Sequence, residues 1–311
     1  MLGKGIGAGN WSGLPAPIIQ PPVDIIAARG YGQYPVVPLT RASTATYVDV
    51  HGVLKTAAVD EPRFDWTGGE RALLLEAAAM NLLTTQTFVS HAGTGLNRDS
   101  IAASGVFPAV STFSPLAGVV PHYAYQDPTS LSVTAGVTYA LSVWIGTPAP
   151  FAFVSGGSSG FGTNQWLVIN TAIGEIVHAQ NCTGHATAFE GGWRLTMLVV
   201  ATATTLSVSI ATGTSNGSNV RFPPFVSADQ ITIFGAQGEV GGAFTSYIPT
   251  NGTAVTRAAD IASVDLDAGT YDVEVVTDAG TTEILGVIHE GGAYWRAEAI
   301  GRVLKVMATA A

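Results

Sequence analysis

The chain has 311 residues, of which 47% are hydrophobic and only 11% charged, against a charged share of about 25% in ordinary globular proteins. Its 13 Lys and Arg against 22 Asp and Glu give a net charge of −9, and no basic cluster is present that could replace the counterions of a nucleic acid. We therefore expect no nucleic-acid partner, and we expect no membrane insertion because no apolar run reaches the roughly 20 residues of a membrane span.

Residues 1–38 are rich in Gly and Pro, which disfavour both helix interiors and central strands. A segment of this composition cannot bury its own apolar residues, such as Ile18, Ile19 and Ile25. We interpret it as an extended N-terminal arm that is either disordered or lies along a partner subunit.

Residues 39–83 combine a hairpin with a connector. Two β-prone runs meet at His51-Gly52, where glycine supplies the positive φ that a tight turn needs. Residues 71–83 contain strong helix formers, but three contiguous leucines at 73–75 fit a strand that enters the core nearly as well. The sequence leaves helix and strand open at this point.

Residues 84–250 contain many short segments in which apolar and polar residues alternate, the two-residue period of strands with one face in a core. Connections rich in Gly, Ser and Asn separate them, as at residues 156–160. The pattern predicts an all-β fold in which two antiparallel sheets pack as a jelly-roll sandwich. The clearest alternating segments are 131–133, 137–145, 166–168, 195–199, 206–210 and 231–233.

Residues 251–311 contain further short β-prone runs, at 264–266, 271–275, 283–287 and 294–297. The segment is too small for a large core of its own. We therefore predict a small C-terminal β appendage, either a compact cap or an oligomerising element.

Side chains that could perform catalysis are scattered. None of the six histidines has the close spacing by which one strand or helix holds a catalytic zinc, and no motif frames a nucleophile or a pair of carboxylates. The single cysteine, Cys182, has no partner for a disulfide. We expect no catalytic residues and no cofactor. A structural calcium stays open, because its oxygen ligands can come from backbone carbonyls and scattered Asp or Asn.

The aromatic residues of the sandwich are more informative. Flat rings pack against the apolar faces of sugars, while neighbouring amide and hydroxyl groups bind the sugar hydroxyls. A sandwich also needs aromatic residues in its core, which is the competing interpretation. Trp144, Phe161 and Trp166 are the candidate ligand-binding residues, and no metal ligands are assigned.

Several short motifs in order along the chain resemble those of a protein family. They are Thr-Arg-Ala-Ser-Thr-Ala-Thr-Tyr-Val-Asp at 40–49, Pro-Arg-Phe-Asp-Trp at 62–66, Leu-Leu-Glu at 74–76, Ala-Phe-Thr-Ser-Tyr-Ile-Pro-Thr at 243–250 and Val-Thr-Arg-Ala-Ala-Asp at 255–260. The family comprises tailed-phage and prophage virion surface proteins, including head spikes, head fibres and tail-fibre-like proteins with a concanavalin-A-like or carbohydrate-binding-module-like jelly roll. Because Thr-Arg-Ala occurs at both 40–42 and 256–258, we expect these two segments to lie side by side.

This resemblance implies a structural component of the virion surface that is attached through the arm at 1–38 and displays a glycan-binding jelly roll. The implied partners are other copies of the chain, as a trimer, other virion proteins of the capsid, portal or tail, and host-surface glycans. A tail-fibre receptor-binding protein is the alternative, and a polysaccharide-degrading enzyme ranks last. The family offers no catalytic residues to transfer, and the connection at 67–71 is shorter than is usual in it.

Overall fold

A computed structural model describes residues 23–24, 38–89, 96–116, 124–126, 131–147, 149–156, 165–202, 204–206, 209–213, 230–296 and 300–311. The predicted arm therefore lies outside the described residues except for Val23, Asp24 and Pro38. Within these ranges every regular element is a β-strand, so the all-β prediction is confirmed. The same ranges contain no helix with the length and apolarity that crossing a membrane requires.

The strands are named in chain order. Those before residue 90 are β1 (Val23–Asp24), β2 (Leu39–Thr40), β3 (Ala45–Val48), β4 (Leu54–Ala57), β5 (Phe64–Asp65), β6 (Ala72–Leu75), β7 (Ala79–Asn81) and β8 (Phe88–Val89). Those up to residue 213 are β9 (Leu96–Ser104), β10 (Phe107–Pro115), β11 (Ala124–Gln126), β12 (Leu131–Ser132), β13 (Thr138–Gly146), β14 (Phe151–Ser155), β15 (Trp166–Asn170), β16 (Glu175–Gln180), β17 (Thr183–Phe189), β18 (Gly192–Val200), β19 (Thr205–Leu206) and β20 (Ser209–Gly213). The last are β21 (Ile231–Val240), β22 (Val255–Arg257), β23 (Ile261–Ala262), β24 (Val264–Leu266), β25 (Gly269–Thr277), β26 (Gly280–His289), β27 (Gly292–Tyr294) and β28 (Gly301–Ala310).

Two six-stranded antiparallel sheets form the sandwich. The first has the order β17-β18-β13-β21-β10-β9, and the second has the order β16-β15-β14-β20-β11-β8. Alternate apolar side chains of both sheets meet in one core, for example Leu141 and Val143 of β13 with Leu167 and Ile169 of β15. The jelly-roll connectivity stays a prediction.

Strand β13 differs from the predicted pattern of one buried face, because its residues 139–145 are buried on both faces. The inward face packs in the sandwich core, whereas the outward face is covered by a second cluster that includes Phe107 and Tyr247. The alternation of the sequence correctly predicts the strand but gives no sign of this outer cover.

A third sheet joins the two ends of the chain. Its order is β26-β25-β28-β6-β5, and β1 pairs with β28. The C-terminal region therefore shares a sheet with the connector at 39–83. Residues 72–75 are all buried, with Leu73 and Leu75 in the core of this sheet, so the strand alternative for this segment is correct and the helix is wrong.

The hairpin predicted at residues 46–58 is confirmed as β3 and β4. The two strands pair in antiparallel register, with Thr46 opposite Thr56. Gly52 has a φ of 79° in the turn, a conformation that glycine adopts without steric cost. His51 beside it is exposed, as a turn residue should be.

Three buried arginines from separate segments of the chain surround the carboxylates of Asp260 and Glu76. Asp260 accepts from Arg41 at 2.9 Å and from Arg63, and it lies 3.7 Å from Arg257. Glu76 lies 2.8 Å from Arg63 and 3.5 Å from Arg257. We call these five residues the junction network, and each belongs to a motif that carries the family resemblance or directly adjoins it.

The spare donors of the junction network reach backbone carbonyls. Arg63 donates to the carbonyl of Thr46 at 2.8 Å, and Arg257 donates to that of Ala77 at 2.6 Å. Arg41 and Arg257 both interact with Asp260, so the two Thr-Arg-Ala segments do lie together as expected. A buried charge cluster of this kind is tolerated only when its members are paired and hydrogen-bonded.

Replacing Arg63 with Met should lower the free energy of unfolding by about 3–5 kcal/mol, because Glu76 and Asp260 each lose a buried counter-charge. The matched control is Lys55→Met, which removes a half-exposed lysine 3.8 Å from Asp49 and should cost at most about 1 kcal/mol. Urea unfolding followed by circular dichroism measures both. Equal, small losses would contradict a stabilising role for the network.

Candidate functional site

A cleft of about 450 Å³ lies where the sandwich, the β3–β4 hairpin and the third sheet meet. Its volume is within the range of roughly 300–1,000 Å³ that small-molecule sites occupy. The segment 243–247, which follows β21, closes one side. The side chains that shape its floor and walls include Trp144, His185, Phe189, Arg194, Phe244 and Tyr247.

The floor of the cleft is the outer face of the first sheet. Val143 and Ile145 point into the sandwich core, so Trp144 between them points outward. Trp144 pairs with Arg194 on β18, and Arg194 pairs with Thr187 on β17. These three side chains therefore form one row across neighbouring strands, and all three line the cleft.

Trp144 is only 3% exposed. The ring of Tyr247 meets it edge-on at a centroid distance of 4.7 Å, and Phe107 lies 6.2 Å away. The Tyr247 hydroxyl donates to Gln86 Oε1 at 3.1 Å, and burial raises its pKa, so it stays a protonated donor. Trp144 thus serves chiefly as a packed floor for the cleft, and its prediction as a ligand contact stays a prediction.

Arg194 lies over this floor. Its guanidinium carbon is 4.6 Å from the centroid of the Trp144 ring, a cation–π arrangement. Nη2 donates to Ser142 Oγ at 2.8 Å and to the carbonyl of Thr245 at 2.7 Å. Desolvation lowers the pKa of Arg194 to about 10, against an opposing attraction from Glu239, so the group stays charged at neutral pH.

His185 stands beside Arg194 at the same wall. Its ring meets Phe244 edge-on at 5.3 Å, and Phe244 is half-buried. Burial, and then the charge of Arg194, lower the pKa of His185 below 6.5, so its imidazole is neutral at pH 7. Beside Arg194 this side of the cleft therefore presents an aromatic ring and a neutral imidazole.

The other two sequence candidates lie elsewhere. Trp166 is 8% exposed on the outer face of the second sheet, where it packs with Phe153 and stacks on His178 at 6.0 Å. Its Nε1 and the Nε2 of His178 are buried without hydrogen-bond partners. Phe161 lies outside the described residues. Trp144 and Trp166 are on opposite sides of the sandwich, so these two do not form one site.

Sequence reasoning assigned no role in ligand binding to Arg194, His185 or Phe244. One signal for Arg194 was present, because the chain has no Lys or Arg between Arg98 and Arg194. A lone cation at an outward position of an apolar strand is a candidate for a specific contact. His185 and Phe244 come together only through folding, and no local pattern marks them.

Neither a metal nor a reactive thiol is indicated by the described side chains. No group of three or more His, Cys, Asp or Glu among the described residues could hold a metal ion. Cys182 is half-buried, and burial raises the pKa of its thiol to about 11, which keeps it protonated. Its Sγ donates to the carbonyl of Trp166 at 3.3 Å.

No model of a known protein family matches this chain, and no curated protein matches its sequence. The resemblance to phage virion surface proteins therefore rests on the sequence motifs and stays a prediction.

Replacing Trp166 with Phe should change the free energy of unfolding by less than about 1 kcal/mol, because it removes an unpartnered N–H while keeping an aromatic ring. Trp166→Ala should cost about 3–5 kcal/mol through lost packing. Thermal unfolding distinguishes the two. A large loss of unfolding free energy in Trp166→Phe would mean that Nε1 has a structural partner. A loss of glycan binding in the same variant, at unchanged stability, would place a ligand at the outer face of the second sheet.

Proposed function

We propose that this chain is a structural component of a phage virion, a head spike, head fibre or related surface appendage, that binds host-surface glycans in the cleft. One observation carries the proposal: the motifs that resemble the family also build this site. Asp65, Glu76, Ser246 and Tyr247 all belong to those motifs, and all four line the cleft.

The cleft suits a sugar ligand by its shape and composition. Phe189 and Phe244 present ring surfaces above the packed Trp144 floor, and Thr187 and Thr245 present polar groups beside them. Sugar recognition combines ring surfaces with a small number of placed hydrogen-bonding groups. Glu76 belongs to the junction network, and its Oε1 accepts from the backbone N–H of Ser246 at 2.7 Å. The cleft walls are therefore fixed before a ligand binds.

In this proposal the arm at 1–38 attaches the protein to the particle, and the jelly-roll sandwich faces outward. Three copies of the chain form a trimer, and the contacts between them cover part of the low-charge surface of each copy. A tail-fibre receptor-binding protein would use the same cleft at a different place on the particle. Electron microscopy of particles from the encoding phage, labelled with antibodies to the full chain, separates these cases. Label on the head supports the proposal, label on the tail fibre supports the alternative, and unlabelled particles overturn both.

Phe244→Ala should weaken glycan binding about tenfold, which corresponds to about 1.4 kcal/mol, because the cleft loses a half-buried ring. The control is Leu285→Ala, which changes a side chain that is 75% exposed on β26 and does not line the cleft. A glycan array identifies the ligand, and calorimetry then compares the variants. Unchanged affinity in Phe244→Ala would remove the cleft from the proposal.

A further inference from the structure

Arg194 is a largely buried cation that forms no salt bridge with the described residues, although Glu239, Glu76 and Asp65 attract it from a longer distance. Its Nη2 is used by Ser142 and Thr245, but Nη1 donates to none of the described residues and Nε is buried without a partner. No carboxylate of the described residues lies within salt-bridge distance of it. Removing a cation from water without a counter-charge is costly, and an anion in the cleft would offset that cost.

The other charged groups of the cleft are already paired. Arg302 Nε donates to Asp65 at 3.1 Å, and Arg302 Nη1 donates to Asp278 at 2.6 Å. Glu76 belongs to the junction network. Glu239, which does not line the cleft, is the carboxylate that attracts Arg194 most, and its oxygens accept from the backbone N–H and the hydroxyl of Thr245 rather than from the guanidinium. Arg194 is therefore the cleft residue that can neutralise a ligand's charge.

The position of the guanidinium is fixed before binding. The Trp144 ring supports it from below, while Ser142 and the Thr245 carbonyl hold Nη2. With Nη2 occupied and Nε buried, Nη1 is the nitrogen left for an anion, and it can donate to a carboxylate oxygen in a charge-assisted hydrogen bond. Thr187 lies in the same cross-strand row and offers a hydroxyl beside the anion.

We propose that the cleft recognises an acidic glycan, a chain containing a carboxylate-bearing sugar such as a uronic acid, whose carboxylate binds Arg194. The sugar ring then lies against Phe244 and the His185 wall of the cleft. This inference rests on the proposed function and names the ligand class of the same site.

The test uses the full chain and two matched oligosaccharides with the same linkages, one built on glucuronic acid and one on glucose. Calorimetry should show that the wild-type protein binds the acidic one at least about tenfold more tightly. Arg194→Gln should abolish this preference, and Arg194→Lys should retain part of it, because a lysine keeps the charge but not the fixed position of the donor. Lys305→Gln, which changes an exposed cation paired with Glu274 on the third sheet, should leave the preference unchanged.

Equal wild-type affinity for the two oligosaccharides overturns the acidic-glycan inference and leaves glycan binding in place. Binding of neither these nor any other glycan overturns the proposed function as well. A sulfated glucose oligomer that binds more tightly than the uronic one overturns the carboxylate assignment. The wild-type comparison does not depend on any variant folding, and circular dichroism shows whether Arg194→Gln keeps the native fold.

Discussion

The structure depends on the carboxylate of Asp260. Its two oxygens contact Arg41 and Arg63, which precede it by 219 and 197 residues, and it also accepts from the backbone N–H of Glu76 at 2.8 Å. All of these groups are buried, so separating the segments would leave charges in an apolar environment without partners. The network therefore fixes the hairpin, the connector and the C-terminal segment against one another, and with them the walls of the cleft.

Local patterns in the sequence predicted the elements in which apolar core residues alternate with other residues or which contain a clear turn. The hairpin at Gly52 and the strands β13, β15, β18 and β21 could be found in this way, because alternation and turn residues are local properties. The same reasoning missed β9, which is exposed along almost all of its length, and β17, whose residues are only half-buried or exposed. Strands that contribute few or no large apolar side chains to a core give a weak hydrophobic period or none.

The cleft could not be derived from the sequence for a related reason. Alternation correctly places Trp144 on the face of β13 that points away from the sandwich core. It cannot show that Tyr247, about a hundred residues later in the sequence, packs against the Trp144 ring. Nor does composition show that Arg41, Arg63 and Arg257 are buried, since charged residues are usually exposed. The repeated Thr-Arg-Ala motif was the one sequence feature that predicted a contact between distant segments, and the structure contains that contact.

The arginines themselves distinguish a structural role from a binding role. Those of the junction network have carboxylates within 4 Å, so their charges are compensated within the folded chain. Arg194 instead contacts an aromatic ring, a hydroxyl and a carbonyl, which orient the guanidinium, while the carboxylates that attract it lie beyond salt-bridge distance. The arginines of the junction network therefore have a structural role, whereas Arg194 is the residue on which the proposed ligand contact depends.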